Sequence, residues 1–165
     1  MARRYIKVHD PFLISFLMKN FPPGSWRTNV RLGRIDEKFF PEAKTPEMKR
    51  LASIYLPRAD AVVILKDKVI IIECMVRNEF WKIEQLEEYA RQFKVTEEFR
   101  DYWHLPVEKW LLTPKTNPYL QERALRAGVK VVLHSEVFWE WYSHKLRGRD
   151  KEGRFSGTIK PPSAP

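Results

Sequence analysis

Ala61-Val62-Val63-Ile64-Leu65-Lys66-Asp67-Lys68-Val69-Ile70-Ile71-Ile72-Glu73-Cys74-Met75-Val76 sets two short runs of mostly β-branched residues on either side of a polar turn. Two such runs joined by a tight polar link read as a β-hairpin, with strands over 61–65 and 69–76. Both runs are apolar at successive positions, so neither strand shows a wet face. Strands of that kind lie centrally in a sheet and are covered on both sides.

The flanking segments supply the cover. Downstream, Ile83, Leu86, Ala90 and Phe93 recur at helical spacing and predict a helix over 79–93. Lys109–Thr113 reads as a strand, and Asn117 caps a helix that begins at Pro118 and stops before Gly128. Val129–His134 is a further strand, and Ser135 opens a last helix through about residue 146. Upstream, Phe12, Leu13, Phe16 and Leu17 form an apolar stripe on a helix over 10–20, ended by Pro22-Pro23-Gly24. Residues 26–32 alternate weakly, as a short edge strand does. A short helix is expected from about Pro46 to Ile54, and residues 94–105 form a connection of unassigned shape. A helix between one strand of the hairpin and the next strand is a crossover. The fold class is therefore α/β: a mixed sheet with helices on both faces.

One residue breaks the apolar pattern of the hairpin. Glu73 lies among isoleucines, and alternation puts Ile71 and Met75 on its own face. Burying that carboxylate is costly without a cation or hydrogen-bond donors. Asp60 precedes the first strand, and a hairpin brings the two acids to one end of the sheet. Such a pair suits Mg²⁺, which takes one or two carboxylates together with water and phosphate oxygens. The plain alternative is a Glu paired with a neighbouring Arg or Lys.

The segment Pro57-Arg58-Ala59-Asp60-Ala61-Val62-Val63, followed by Ile70-Ile71-Ile72-Glu73-Cys74-Met75, resembles the PD-(D/E)XK nuclease superfamily. Gln85 and Tyr89 resemble the Q-x-x-x-Y element of that family's next helix. The match covers roughly 58–134, and its motifs are short and degenerate. The resemblance implies a restriction-endonuclease-like core of order α-β-β-α-β-α-β-α and metal-dependent hydrolysis of DNA or RNA phosphodiesters. It implies that Asp60, Glu73 and the carbonyl of Cys74 hold Mg²⁺ or Mn²⁺, with Gln85 orienting water or phosphate. A further acid from the first helical region joins them in some members; Glu37, Glu42 and Glu47 are the candidates.

The family's lysine position is Met75, whose thioether cannot donate to a phosphate. Three explanations compete. Lys82 can replace it from the helix, where Lys82, Gln85 and Tyr89 share one face. Taken as a helix residue alone, Lys82 is an ordinary solvated lysine. Arg77, on the Glu73 face two residues beyond Met75, can bind phosphate but is a poor base. Or the chemistry is lost, and the fold serves as a structural or adaptor subunit, such as a viral head–tail connector, a DNA-packaging component or the DNA-binding subunit of a larger complex.

Composition limits the partners. The formal net charge is +9 over 165 residues. The basic excess sits at the ends: residues 1–35 carry seven Lys/Arg against one acid, and 143–165 carry six against two. Nucleic acid, DNA first, is the expected partner, held through Arg3, Arg4, Arg27, Arg31, Arg77, Arg147 and Arg149. One domain over 1–146 and a basic, Pro-rich tail over 147–165 are expected, with the tail offering a route to homo-oligomers or larger assemblies. The single cysteine, Cys74, excludes an internal disulfide. No apolar signal core follows the basic N-terminus, and no apolar run reaches membrane length, so a cytoplasmic (or virion) location without a membrane partner is expected. His9, His104, His134 and His144 are scattered without metal-ligand spacing. The aromatic residues Phe138, Trp139, Trp141 and Tyr142 around the last helix can cover core, meet another protein or stack on bases, core packing being the commonest case.

Overall fold

A computed structural model describes residues 10–135. The last helix, its aromatic residues, the basic tail, and Arg3, Arg4, Arg147 and Arg149 lie outside the described residues.

Four helices and five strands follow in the order α1 (Asp10–Asn20), β1 (Trp26–Arg31), α2 (Pro46–Ala52), β2 (Arg58–Ile64), β3 (Val69–Cys74), α3 (Trp81–Phe93), β4 (Val107–Thr113), α4 (Pro118–Arg126) and β5 (Val129–Leu133). Short 3-10 turns at Ser53–Tyr55 and Glu97–Tyr102 link them. The strands form one five-stranded sheet in sequence order. β1, β2 and β3 are antiparallel neighbours, whereas β3–β4 and β4–β5 are parallel. A parallel pair needs a crossover, and α3 and α4 supply the two required here. The mixed α/β sheet expected from the hairpin and its flanking helices is thus the observed architecture, as far as β5.

The two faces of the hairpin bury different partners. Ala61, Val63, Ile70, Ile72 and Cys74 pack with Phe12, Leu13, Phe16 and Leu17 of α1. Val62, Val69 and Ile71 pack with Ile83, Leu86, Tyr89 and Phe93 of α3 and Leu120 and Ala124 of α4. Ile70, Ile71 and Ile72 are fully buried. Each such side chain contributes roughly 1.5–3 kcal/mol on leaving water, enough to fix the register against a slip that would expose the wrong face.

Local signals operate as their chemistry requires. Asn117 caps α4, its side chain accepting from the Leu120 amide at 2.9 Å. Thr45 caps α2 in the same way through the Met48 amide, and Pro46 occupies the first turn. His134, buried at the end of β5, contacts Ser15 Oγ at 3.2 Å and so ties the last strand to α1. The expected strand over 69–76 is too long: β3 ends at Cys74, and α3 begins two residues later than its apolar period suggests. Among the described residues, no helix is long and apolar enough to cross a membrane.

Candidate active site

The β2–β3 ladder pairs Ala61 with Ile72. One more antiparallel step sets Asp60 opposite Glu73, on the sheet face that α3 covers. Like charges directly opposite one another destabilise a sheet unless donors or a cation compensate. The hairpin backbone locks both carboxylates. The Asp60 amide donates to Glu73 Oε1 at 2.9 Å, and the Cys74 amide donates to Asp60 Oδ2 at 2.9 Å. On the other side of Asp60, the β1–β2 register skips one pair between Thr28↔Ala61 and Val30↔Ala59. Asn29 occupies the gap with φ 54°, a left-handed conformation that Asn tolerates better than most residues.

Lys82 completes the cluster. It stands in the first turn of α3, and its Nζ donates to the Cys74 carbonyl at 2.5 Å. The same ammonium lies 3.7 Å from Glu73 Oε2, 3.8 Å from Asp60 Oδ2 and 3.9 Å from Glu79 Oε2. Lys82 is therefore not a solvated helix lysine: it is 6% exposed and Glu73 is 3% exposed. The physical reason is tertiary. α3 lays Ile83, Leu86 and Phe93 on the hairpin, and this docking carries the neighbouring Lys82 stem beneath the helix, with its charged end at the strand terminus.

Among the described residues, the Lys82 ammonium faces three carboxylates, those of Asp60, Glu73 and Glu79. Glu73 is pushed up to about 8, first by burial and then by the Asp60 carboxylate, against the opposing pull of Lys82 and the Asp60 amide. Tyr89 is also raised, by burial foremost and then by Glu73 and Asp60. Its hydroxyl donates to the Arg58 carbonyl at 3.0 Å, tying α3 to β2 two residues before Asp60. Gln85 is half-buried one turn along α3 from Lys82.

Other candidates fall elsewhere. Met75 is buried in the core and its amide donates to Leu112 O, so the family's lysine position is an apolar packing position here. Arg77 is exposed in the turn beyond β3, where strand alternation no longer assigns it a face. Glu37, Glu42 and Glu47 are exposed; the third acid near Lys82 is Glu79, in the turn before α3, which periodicity could not single out. Arg27 is paired with Glu98 at 2.6 Å and stacked 4.9 Å from the Phe99 ring centre. Arg31 donates to Ser53 Oγ.

Among the described residues, no three His, Cys, Asp or Glu side chains converge to cage a metal. The donor set that does converge consists of two carboxylates and one backbone carbonyl, all oxygen. Such a set, with positions left for water and phosphate oxygens, fits Mg²⁺ or Mn²⁺ better than a softer metal.

No protein-family model matches the sequence. No curated protein matches it either. Among solved structures, the chain is similar to a repair endonuclease from Pyrococcus abyssi at 14% identity and a TM-score of 0.45, over 81% of this chain and 49% of that one. The chain thus spans about half the length of that structure.

Proposed function

We propose that this chain is a metal-dependent nucleic-acid phosphodiesterase, acting on DNA as an endonuclease of the PD-(D/E)XK type, with its lysine supplied by α3 instead of β3. The observation that carries this is the convergence of the Lys82 ammonium on Glu73, Asp60 and the Cys74 carbonyl within 4 Å at the end of a buried hairpin. Two opposed carboxylates held beside a buried ammonium support this reading.

Asp60, Glu73 and the Cys74 carbonyl are the groups that would hold Mg²⁺ or Mn²⁺. When bound, such an ion polarises the phosphate and lowers the pKa of an attacking water. Lys82 neutralises charge on the phosphate oxygens, as a point-like donor does. Gln85, on the same helix face, orients water or phosphate. Tyr89 positions β2 without touching the reacting atoms. The basic residues at either end, Arg3, Arg4, Arg147 and Arg149 among them, hold the backbone outside the catalytic groups in a salt-dependent way. The chain folds as one domain over 1–146, with 147–165 as a basic extension. Cleavage of DNA in Mg²⁺ against EDTA, with Glu73→Ala and Lys82→Ala beside the parent chain, tests the assignment.

A further inference from the structure

The segments before Asp60 expose aromatic and cationic side chains. Tyr55 ends the 3-10 turn before β2 and is 73% exposed. One face of its ring is backed by Phe40, with ring centres 5.6 Å apart at 27°. The ring is thereby held in place while most of its surface stays open. Phe39, next to Phe40 in sequence, is 72% exposed, and Lys38 lies 5.9 Å from that ring's centre. Leu51 and Ile54 add apolar surface at 65% and 58% exposure.

The charge beside the aromatic surface points to an anion. Arg31 and Arg58 are direct partners in the β1–β2 register. Arg31 also donates to Ser53 Oγ, which holds its guanidinium on this edge of the sheet, and cationic side chains there favour an anion. Arg58 lies two residues before Asp60 on the same strand. Tyr55 lies five residues before Asp60, no more than about 18 Å of chain away. Lys49 and Arg50, both exposed on α2, extend the positive surface beyond Tyr55.

We infer that Tyr55, with the Arg31–Arg58 pair, forms a subsite for an unpaired strand of nucleic acid running into the carboxylate site, and that the chain prefers single-stranded over fully duplex substrate. The inference rests on the nuclease assignment for its direction and deepens it by naming the substrate class. An open ring face stacks a base whose own face is free, and in a duplex those faces are already stacked. Base–aromatic stacking is tolerant of sequence, so the subsite selects strand state, not sequence.

The test is equilibrium binding in EDTA, where no cleavage is read. Fluorescein-labelled single strands of DNA and of RNA, and a blunt DNA duplex of equal length, are titrated with the full chain by anisotropy. The parent binds single strands more tightly than duplex. Tyr55→Ala lowers single-strand affinity by between about fivefold and a hundredfold, with little change on duplex, and Tyr55→Phe restores it. Arg58→Gln weakens single-strand binding and lowers the salt slope by about 0.7. Melting curves confirm that the variants fold, as expected for an exposed ring. Equal binding of both forms, no binding of either, or a Tyr55→Ala loss that is the same on duplex or absent overturns the inference. Tyr55-dependent single-strand binding by a chain that never cleaves would leave this subsite standing and remove the nuclease assignment. Cleavage untouched by loss of the subsite would do the reverse.

Discussion

The Nζ of Lys82 donates to the carbonyl oxygen of Cys74 at 2.5 Å, joining the first turn of α3 to the last residue of β3. That contact sets a helix-borne ammonium beside the two carboxylates, at the strand end next to buried Met75. It also makes Lys82 part of the fold. Removing one partner of a buried charge cluster costs about 3–5 kcal/mol, because the others lose their counter-charge. Lys82→Ala should therefore melt well below the parent chain, and the double variant Lys82→Met with Glu73→Gln should recover most of the loss. Calorimetry or a denaturant midpoint measures this. A single variant as stable as the parent would mean that the ammonium does not hold the cluster.

Glu73 gives a pH signature in EDTA. Its folded-state pKa is raised from the usual 4.5 to about 8. A group raised on folding contributes stability that is complete below its unfolded pKa and is lost as pH rises through the folded one. Metal-free protein should thus lose stability as pH rises from about 4.5 to about 8 and level off above that. Glu73→Gln is neutral throughout and keeps an acceptor for the Asp60 amide, so it should flatten that decline. Parallel melting profiles for the two proteins would remove Glu73 as the titrating group.

Divalent ions should reverse the deficit of positive charge. Mg²⁺ or Mn²⁺ at about a hundred times its dissociation constant stabilises a protein that binds it only when folded by about 2.7 kcal/mol. The melting temperature should rise with either ion, fall back on adding EDTA, and fail to respond in Asp60→Ala and Glu73→Ala. A rise that persists in both variants would place the ion elsewhere.

Tyr89 offers a subtler perturbation. Tyr89→Phe removes the donor to the Arg58 carbonyl. An unsatisfied acceptor in a partly buried place costs about 1–3 kcal/mol. The same change loosens β2 next to Asp60, so turnover should fall while substrate binding is largely kept. A fall in binding alone would assign Tyr89 to substrate contact instead.

The fold was legible because its signals are local or periodic. The apolar runs around Lys66-Asp67-Lys68 form the hairpin. The Asn117–Pro118 start and the Gly128 stop bracket α4, with Gly128 at φ 65°. The stripe of Phe12, Leu13, Phe16 and Leu17 buries as its spacing requires. Asp60 and Glu73 stood out because a carboxylate in an apolar strand demands an explanation. What stayed hidden depends on docking. Lys82 reads as solvated until α3 is laid across the hairpin, and Glu79 belongs to a turn with no period. Arg27 looks available for phosphate until β1 packs beside Phe99 and Glu98. The Tyr55 surface was missed because exposed rings leave no periodic trace, and the Arg31–Arg58 pairing exists only in the β1–β2 register.

Cleavage of supercoiled DNA, linear duplex and single-stranded DNA in Mg²⁺ or Mn²⁺ against EDTA, by the parent chain, Glu73→Ala and Lys82→Ala, tests the central claim most directly. Metal-dependent cleavage that is lost with Glu73→Ala and falls by at least about a hundredfold with Lys82→Ala is the predicted result. Cleavage lost in Glu73→Ala but intact in a well-folded Lys82→Ala would contradict the assignment of Lys82, and no cleavage by well-folded parent protein with either ion on any of the three substrates would contradict the enzymatic assignment itself.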